Sequence, residues 1–198
     1  MLVRTWRSTS NAIDLREAWE VLLMQADANY IVSIPASDLR LVQVEACLNL
    51  DNHILMMASW GHPDIPEGWA RFVHNLELRD SEGETVSVHS LGNGRWQVDA
   101  VLKQPLHLSY DVRLEHDRYD WGPAGGETAR PAIRNETVFW VTKALFIAPS
   151  DLEMASVTFK VPKQWTVSTA WRPVAGGECR CIVDSLESII NNALVIGQ

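Results

Sequence analysis

Hydrophobic and polar positions recur along this chain with two different periods. Near the start, Leu15, Ala18, Trp19, Leu22, Leu23 and Ala26 fall on one face of a helix. Asp14 with Glu17 three residues on has the form of a capping box, so the spacing predicts a helix over about 14–26, broken by Asp27-Ala-Asn29. An apolar stripe of this kind must dock on something, either the domain that follows or a partner. From Tyr30 onward the period falls to two. Val42, Val44, Ala46, Leu48 and Leu50 alternate with Gln43, Glu45, Cys47 and Asn49, a strand buried on one face. Phe72, His74, Leu76 and Leu78 repeat the pattern, and Asp80-Ser-Glu-Gly83 turns the chain into Val86 and Val88.

The same rhythm continues to the end. Gly92-Asn-Gly94 leads to Trp96, Val98 and Ala100, and after Pro105 the residues Leu106, Leu108, Tyr110, Val112 and Leu114 line one face. Val138 to Ile147 reads as one mostly apolar strand, followed by strands on Val157, Phe159 and Val161, on Trp165, Val167, Thr169 and Trp171, and on Cys179 to Val183. A short helical turn is expected at Asp184 to Ile190. Short strands separated by Gly, Pro and Asp turns, without a strand–helix rhythm, predict an all-β fold, an antiparallel β-sandwich. The organisation expected is an N-terminal segment over 1–29 carrying the helix, then a β domain over 30–198. The stretch from His116 to Asn135 is the one long irregular connection, and loops of that length tend to be functional or mobile.

Composition narrows the function classes. A formal net charge of −8 argues against a protein that wraps nucleic acid, which needs a basic stripe to release counterions. No apolar run approaches the ~20 residues that span a bilayer, the longest being Ile54 to Trp60, so no membrane partner is expected. The opening residues lack the apolar core of a secretory signal, and Cys47, Cys179 and Cys181 form an odd set with no disulfide framework, which fits a cytoplasmic setting.

Catalytic motifs are missing. There is no His-Glu-x-x-His to hold zinc, no Gly-x-Ser-x-Gly, and no Lys-Ser or Lys-Thr after a glycine-rich loop. The six histidines are scattered. Glu115, His116, Asp117 and Asp120 form the one candidate metal cluster, and the polar end of a strand entering solvent would look the same. No cofactor is expected. The nine Trp residues are the other unusual feature: Trp60, Trp69, Trp121 and Trp171, with Trp165, lie near strand ends or loops, where exposed rings could stack on a ligand. Trp165 and Trp171 share a face with Val167, which favours the core for at least one of them.

One serial pattern is more specific. Ser59-Trp60-Gly61-His62-Pro63 is followed by Ile65-Pro66-Glu67-Gly68-Trp69-Ala70-Arg71-Phe72, then Asp80-Ser-Glu-Gly83 and Gly94-Arg-Trp96-Gln-Val98. Leu108-Ser-Tyr110-Asp-Val112, Ala144-Leu-Phe-Ile147, Val161-Pro-Lys-Gln-Trp165 and Ala193-Leu-Val-Ile-Gly197 follow in order. Over about Tyr30 to Gly197 this order resembles the N-terminal β domain of the glycyl aminopeptidases, metallopeptidase family 61. The turn Pro66-Glu67-Gly68-Trp69 carries one residue more than the family's Pro-Gly-aromatic turn, and the helix before Tyr30 has no counterpart in the pattern. The family's zinc motif lies in the domain after this one, so the resemblance implies a non-catalytic domain that packs against a metallopeptidase catalytic domain, in cis or in trans, and shapes its entry side. Self-association would bury the same docking face. The alternative reading is a free-standing β-sandwich module that binds peptide, protein or carbohydrate through Trp60, Trp69, Trp121 and Trp171 or through the 116–135 loop.

Overall fold

A computed structural model describes residues 26–58, 67–99, 103–116, 118–119, 131–174 and 179–198. The helix expected over 14–26 lies outside them except for Ala26. Along the chain the strands are β1 (Ala28–Ser33), β2 (Leu41–Leu48), β3 (Ile54–Met56), β4 (Val73–Arg79), β5 (Val88–Gly92), β6 (Arg95–Val98) and β7 (Leu106–Arg113). The second half adds β8 (Ala132–Arg134), β9 (Thr137–Val141), β10 (Ala148–Pro149), β11 (Ala155–Lys160), β12 (Thr166–Thr169), β13 (Arg172–Pro173), β14 (Arg180–Val183) and β15 (Ala193–Gly197). Helix α1 (Leu186–Ile190) is the short turn expected near that position, and Ser185 caps it by accepting a bond from the Ser188 N–H at 3.1 Å.

The strands form three sheets. The largest has seven strands in the order β13-β14-β11-β1-β2-β7-β4; two four-stranded sheets follow the orders β10-β3-β6-β5 and β12-β15-β9-β8. The expectation of a wholly antiparallel arrangement is corrected at one pair. β1 and β11 run parallel, with Ala28 opposite Ala155 and Ser33 opposite Lys160. A parallel pair needs a long crossover, and here the chain builds the β10-β3-β6-β5 sheet and strands β8 and β9 of the third before it returns to β1.

One continuous core joins all three sheets, with Tyr30, Leu48 and Leu108 from the first, Leu55 and Trp96 from the second, and Trp140 and Leu194 from the third. Alternation does the sorting. Along β2, Val42, Val44, Ala46 and Leu48 point inward while Gln43 and Glu45 face out, as the sequence pattern requires.

Two expected strands are broken. β4 holds a bulge between His74 and Glu77, with Asn75 at φ 52°, so His74 is exposed and Leu76 half-buried instead of sharing the buried side of Leu78. The run Val138 to Ile147 divides into β9, a 3₁₀ turn over Thr142–Ala144 and an irregular stretch that leads into β10 at Ala148, and so carries the chain from one sheet to another. Ala144 through Ile147 stay buried throughout, so the residues are apolar without being a strand.

Buried tyrosines bind that crossing segment. The Tyr110 hydroxyl donates to the Leu145 carbonyl at 2.9 Å and accepts from the Ile147 N–H at 2.9 Å, while Tyr30 donates to the Ile147 carbonyl at 2.9 Å. Backbone groups off the sheet ladder are satisfied this way.

Candidate docking surfaces

The candidate residues do not form one site. Trp60, Trp121, Asp117 and Asp120 lie outside the described residues. Trp69 and Trp171 are not at an open edge: they are 2% and 5% exposed, so both rings pack in the interior instead of presenting a face to a ligand. Trp171 stands edge-on to Phe146, with centroids 5.6 Å apart, and its indole N–H donates to the Ser188 carbonyl at 3.0 Å, tying β12 and β13 to α1. Trp171→Phe keeps most of the ring and leaves that carbonyl without its donor. It should lower stability by about 1–2 kcal/mol, read from the denaturant midpoint.

His116 is fully buried. Its ring stacks on Phe72 with centroids 3.7 Å apart and meets Trp140 edge-on at 6.2 Å. The environment is an aromatic cluster closed by Trp69, over whose ring the half-buried Lys143 ammonium sits at 5.3 Å, and burial pulls the Lys143 pKa down. Among the described residues no group of three or more His, Cys, Asp or Glu could hold a metal ion. No helix among them is long and apolar enough to cross a membrane.

Two outward sheet faces have the character of docking surfaces. The first belongs to the sheet β12-β15-β9-β8. Register puts Val195 opposite both Phe139 and Ser168, Phe139 opposite Ala132, and Ala193 opposite Val141. Since Leu194 and Ile196 point into the core, Ala132, Phe139, Ala193 and Val195 form an outward apolar strip, with Val141 buried at its edge. Val195 is 42% exposed in the middle of it, and Arg134, Thr137 and Thr166 frame one end. Gly197 closes that end because a Cβ there would meet the Thr137 side chain and the Glu136 carbonyl at 2.8 Å. An adjoining hollow of about 400 Å³ is lined by Ala132, Arg134, Thr137 and Phe139. The sequence carried a signal for this face that periodicity alone did not use: Ala193-Leu-Val-Ile-Gly197 is apolar at every position, on the exposed side of the strand as well as the buried one.

The second is a groove of about 710 Å³ on the outer face of the seven-stranded sheet. Its floor comes from rows of cross-strand neighbours: Arg79, His107, Cys47, Asn29 and Ser156 in one, Ser109, Glu45, Ile31, Thr158 and Arg180 in the next. Ser156 donates to the Asn29 carboxamide oxygen at 2.6 Å, and the Arg180 guanidinium donates to the Thr158 hydroxyl at 3.0 Å. Burial raises the Cys47 thiol pKa, which keeps it protonated and slow to react.

Residues 29–198 match the family described as the Peptidase M61 N-terminal domain, and the chain belongs to that family. No curated protein sequence matches it. Among solved structures, an aminopeptidase N family protein from Idiomarina loihiensis has a similar fold, with TM-score 0.65 and 17% identity, covering 86% of this chain and 29% of its own. An M1 zinc metallopeptidase from Deinococcus radiodurans aligns at TM-score 0.48 and 15% identity over 86% of this chain and 41% of its own. The chain therefore spans less than half the length of either protein.

Proposed function

We propose that this domain is the non-catalytic β unit of a zinc aminopeptidase system, packing against a zinc catalytic domain in cis or in trans and shaping the side from which substrate enters. The observation that carries the reading is the match of residues 29–198 to an N-terminal peptidase domain family, in a chain whose sequence holds no zinc-binding His-Glu-x-x-His. The strip formed by Ala132, Phe139, Ala193 and Val195 supplies a surface of the right chemistry. An outward apolar sheet face framed by polar residues has the anatomy of an interface core with its rim. In that arrangement a β domain seated beside a catalytic cleft would limit which ends of a peptide reach the metal.

The ligand-module alternative draws no support from Trp69 or Trp171, whose rings are covered. Calorimetric titration of residues 1–198 with the zinc catalytic domain encoded in the same genome tests the proposal. Saturable one-to-one binding is expected, and heats no larger than dilution would count against it. A second copy of this chain is the rival occupant, and sedimentation of the domain alone over a concentration series separates the two.

A further inference from the structure

The hollow over the β8–β9 hairpin adjoins the outward strip and differs from it in one respect: a cation stands in its lining. We propose that this hollow seats one aromatic side chain of the docking partner, flanked in the partner's sequence by a carboxylate that pairs with Arg134. The inference rests on the outward strip being a docking face, as proposed for the catalytic domain, and adds what the partner must carry to occupy it.

Register builds the hollow. β8 and β9 are joined through Asn135 and Glu136, at φ 46° and 61°, a two-residue turn whose positive φ values hold the strands in tight antiparallel pairing. Ile133 opposite Val138 takes the inner side: Val138 is fully buried and Ile133 packs on the core. Ala132 opposite Phe139 and Arg134 opposite Thr137 therefore share the outer side, and these four line the hollow of about 400 Å³. Ala132 opens the depression, since a methyl group stands across the ladder from the Phe139 ring.

Each wall selects a property of the occupant. A benzene-sized ring fills roughly 150 Å³ of cavity, so one aromatic side chain enters with room for its flanking atoms. The half-buried Phe139 ring has no aromatic neighbour among the described residues, and an incoming ring gains a stacked or edge-on pair there beyond the area it buries. The other wall is polar. Arg134 is exposed and has no ion pair among the described residues, the neighbouring Glu136 included. No carboxylate of the described residues lines the hollow. The guanidinium fork is therefore open to an incoming carboxylate on two N–H groups, while its plane lies along the seated ring. A basic neighbour on the partner would be repelled at the same place. A cation on an edge strand also keeps foreign strands from pairing, and β8 is the outermost strand of its sheet. That role creates no ligand preference, so the two readings part on which probe binds.

Two blocked dipeptides, acetyl-Asp-Trp-amide and acetyl-Lys-Trp-amide, serve as probes, titrated into the full isotope-labelled chain while its amide signals are followed by NMR. The Asp probe should shift the Arg134, Thr137 and Phe139 amides saturably and bind about fivefold more tightly than the Lys probe, the scale of reversing one charge at an exposed pair. Arg134→Glu should invert that order, and an inverted preference is read only from a chain whose site is folded. Ala132→Trp, which fills the hollow from within, should abolish the saturable shifts from both probes. Equal affinities for the parent chain, an order that Arg134→Glu leaves unchanged, shifts that survive Ala132→Trp, or no saturable shift at these amides would each overturn the proposal. Calorimetric titration with the zinc catalytic domain decides the docking reading on its own. Binding there without a probe preference here keeps the docking face and removes the anchor.

Discussion

Replacing Val195 with Asp should cut the affinity of this domain for the proposed catalytic partner about a hundredfold, while its own unfolding midpoint moves little. The residue is 42% exposed and lies at the middle of the outward strip, opposite Phe139 and Ser168. In the free domain the new carboxylate stays in water, and a polar residue on the outer side of a strand costs at most about 1 kcal/mol. In the complex it would be buried against an apolar partner with no cation among its strip neighbours, a loss of several kcal/mol, and each 1.4 kcal/mol is about a factor of ten in affinity. Phe139→Asp should act in the same direction. Thr166→Asp, at the rim, should change binding less than threefold, since rim charges remain solvated. Titration calorimetry with the three variants, alongside denaturant unfolding of each, separates a docking effect from a folding one. Equal binding by Val195→Asp and the parent would remove this strip from the interface.

Tyr110→Phe is expected to be the most damaging conservative change within the domain, costing about 2–6 kcal/mol of stability. The ring stays, so no large cavity forms, but the Ile147 N–H and the Leu145 carbonyl both lose their partner in a place water does not reach. Each such orphan costs about 1–3 kcal/mol. Tyr30→Phe removes a single bond to the Ile147 carbonyl and should cost less.

The same pair sets an alkaline limit. Burial raises both phenol pKa values above the ordinary range, and for Tyr30 the proximity of Tyr110 adds to it. The folded state therefore holds these protons when the unfolded chain begins to release them near pH 10. Stability is full below that pH and falls as pH rises beyond it, by up to about 1.4 kcal/mol per pH unit for each tyrosine. Denaturant midpoints measured from pH 8 to 11.5 should show the decline, and the Tyr30→Phe, Tyr110→Phe double variant should show a shallower one.

What could be read from the sequence depended on whether a strand has one covered face. β2 and β7 alternate cleanly because their outer sides meet solvent, and Val42 to Leu50 and Leu106 to Leu114 fell where the pattern put them. Val138 to Ile147 did not, because a segment buried on every side has no alternation to show where the strand stops and the 3₁₀ turn begins. The parallel partnership of β1 with β11 was equally hidden, since nothing local distinguishes a strand that pairs with a neighbour from one that pairs with a segment far along the chain. The tryptophans show the same gap at the level of a site. Trp69 and Trp171 sit at element ends in sequence, and only tertiary packing decides that their rings point inward. The outward strip was missed for the converse reason: Phe139 and Val195 look like core until the register shows that Trp140 and Leu194 take the inner side.

The most direct test of the central claim is the metal and peptidase content of whatever this domain is joined to in its own cell. Protein captured with an antibody against residues 1–198 under native conditions would be assayed for zinc per domain and for release of N-terminal residues from short peptides. One zinc per domain, with aminopeptidase activity that a chelator abolishes, is the result the account requires. Capture of the domain with neither zinc nor peptidase activity would contradict it.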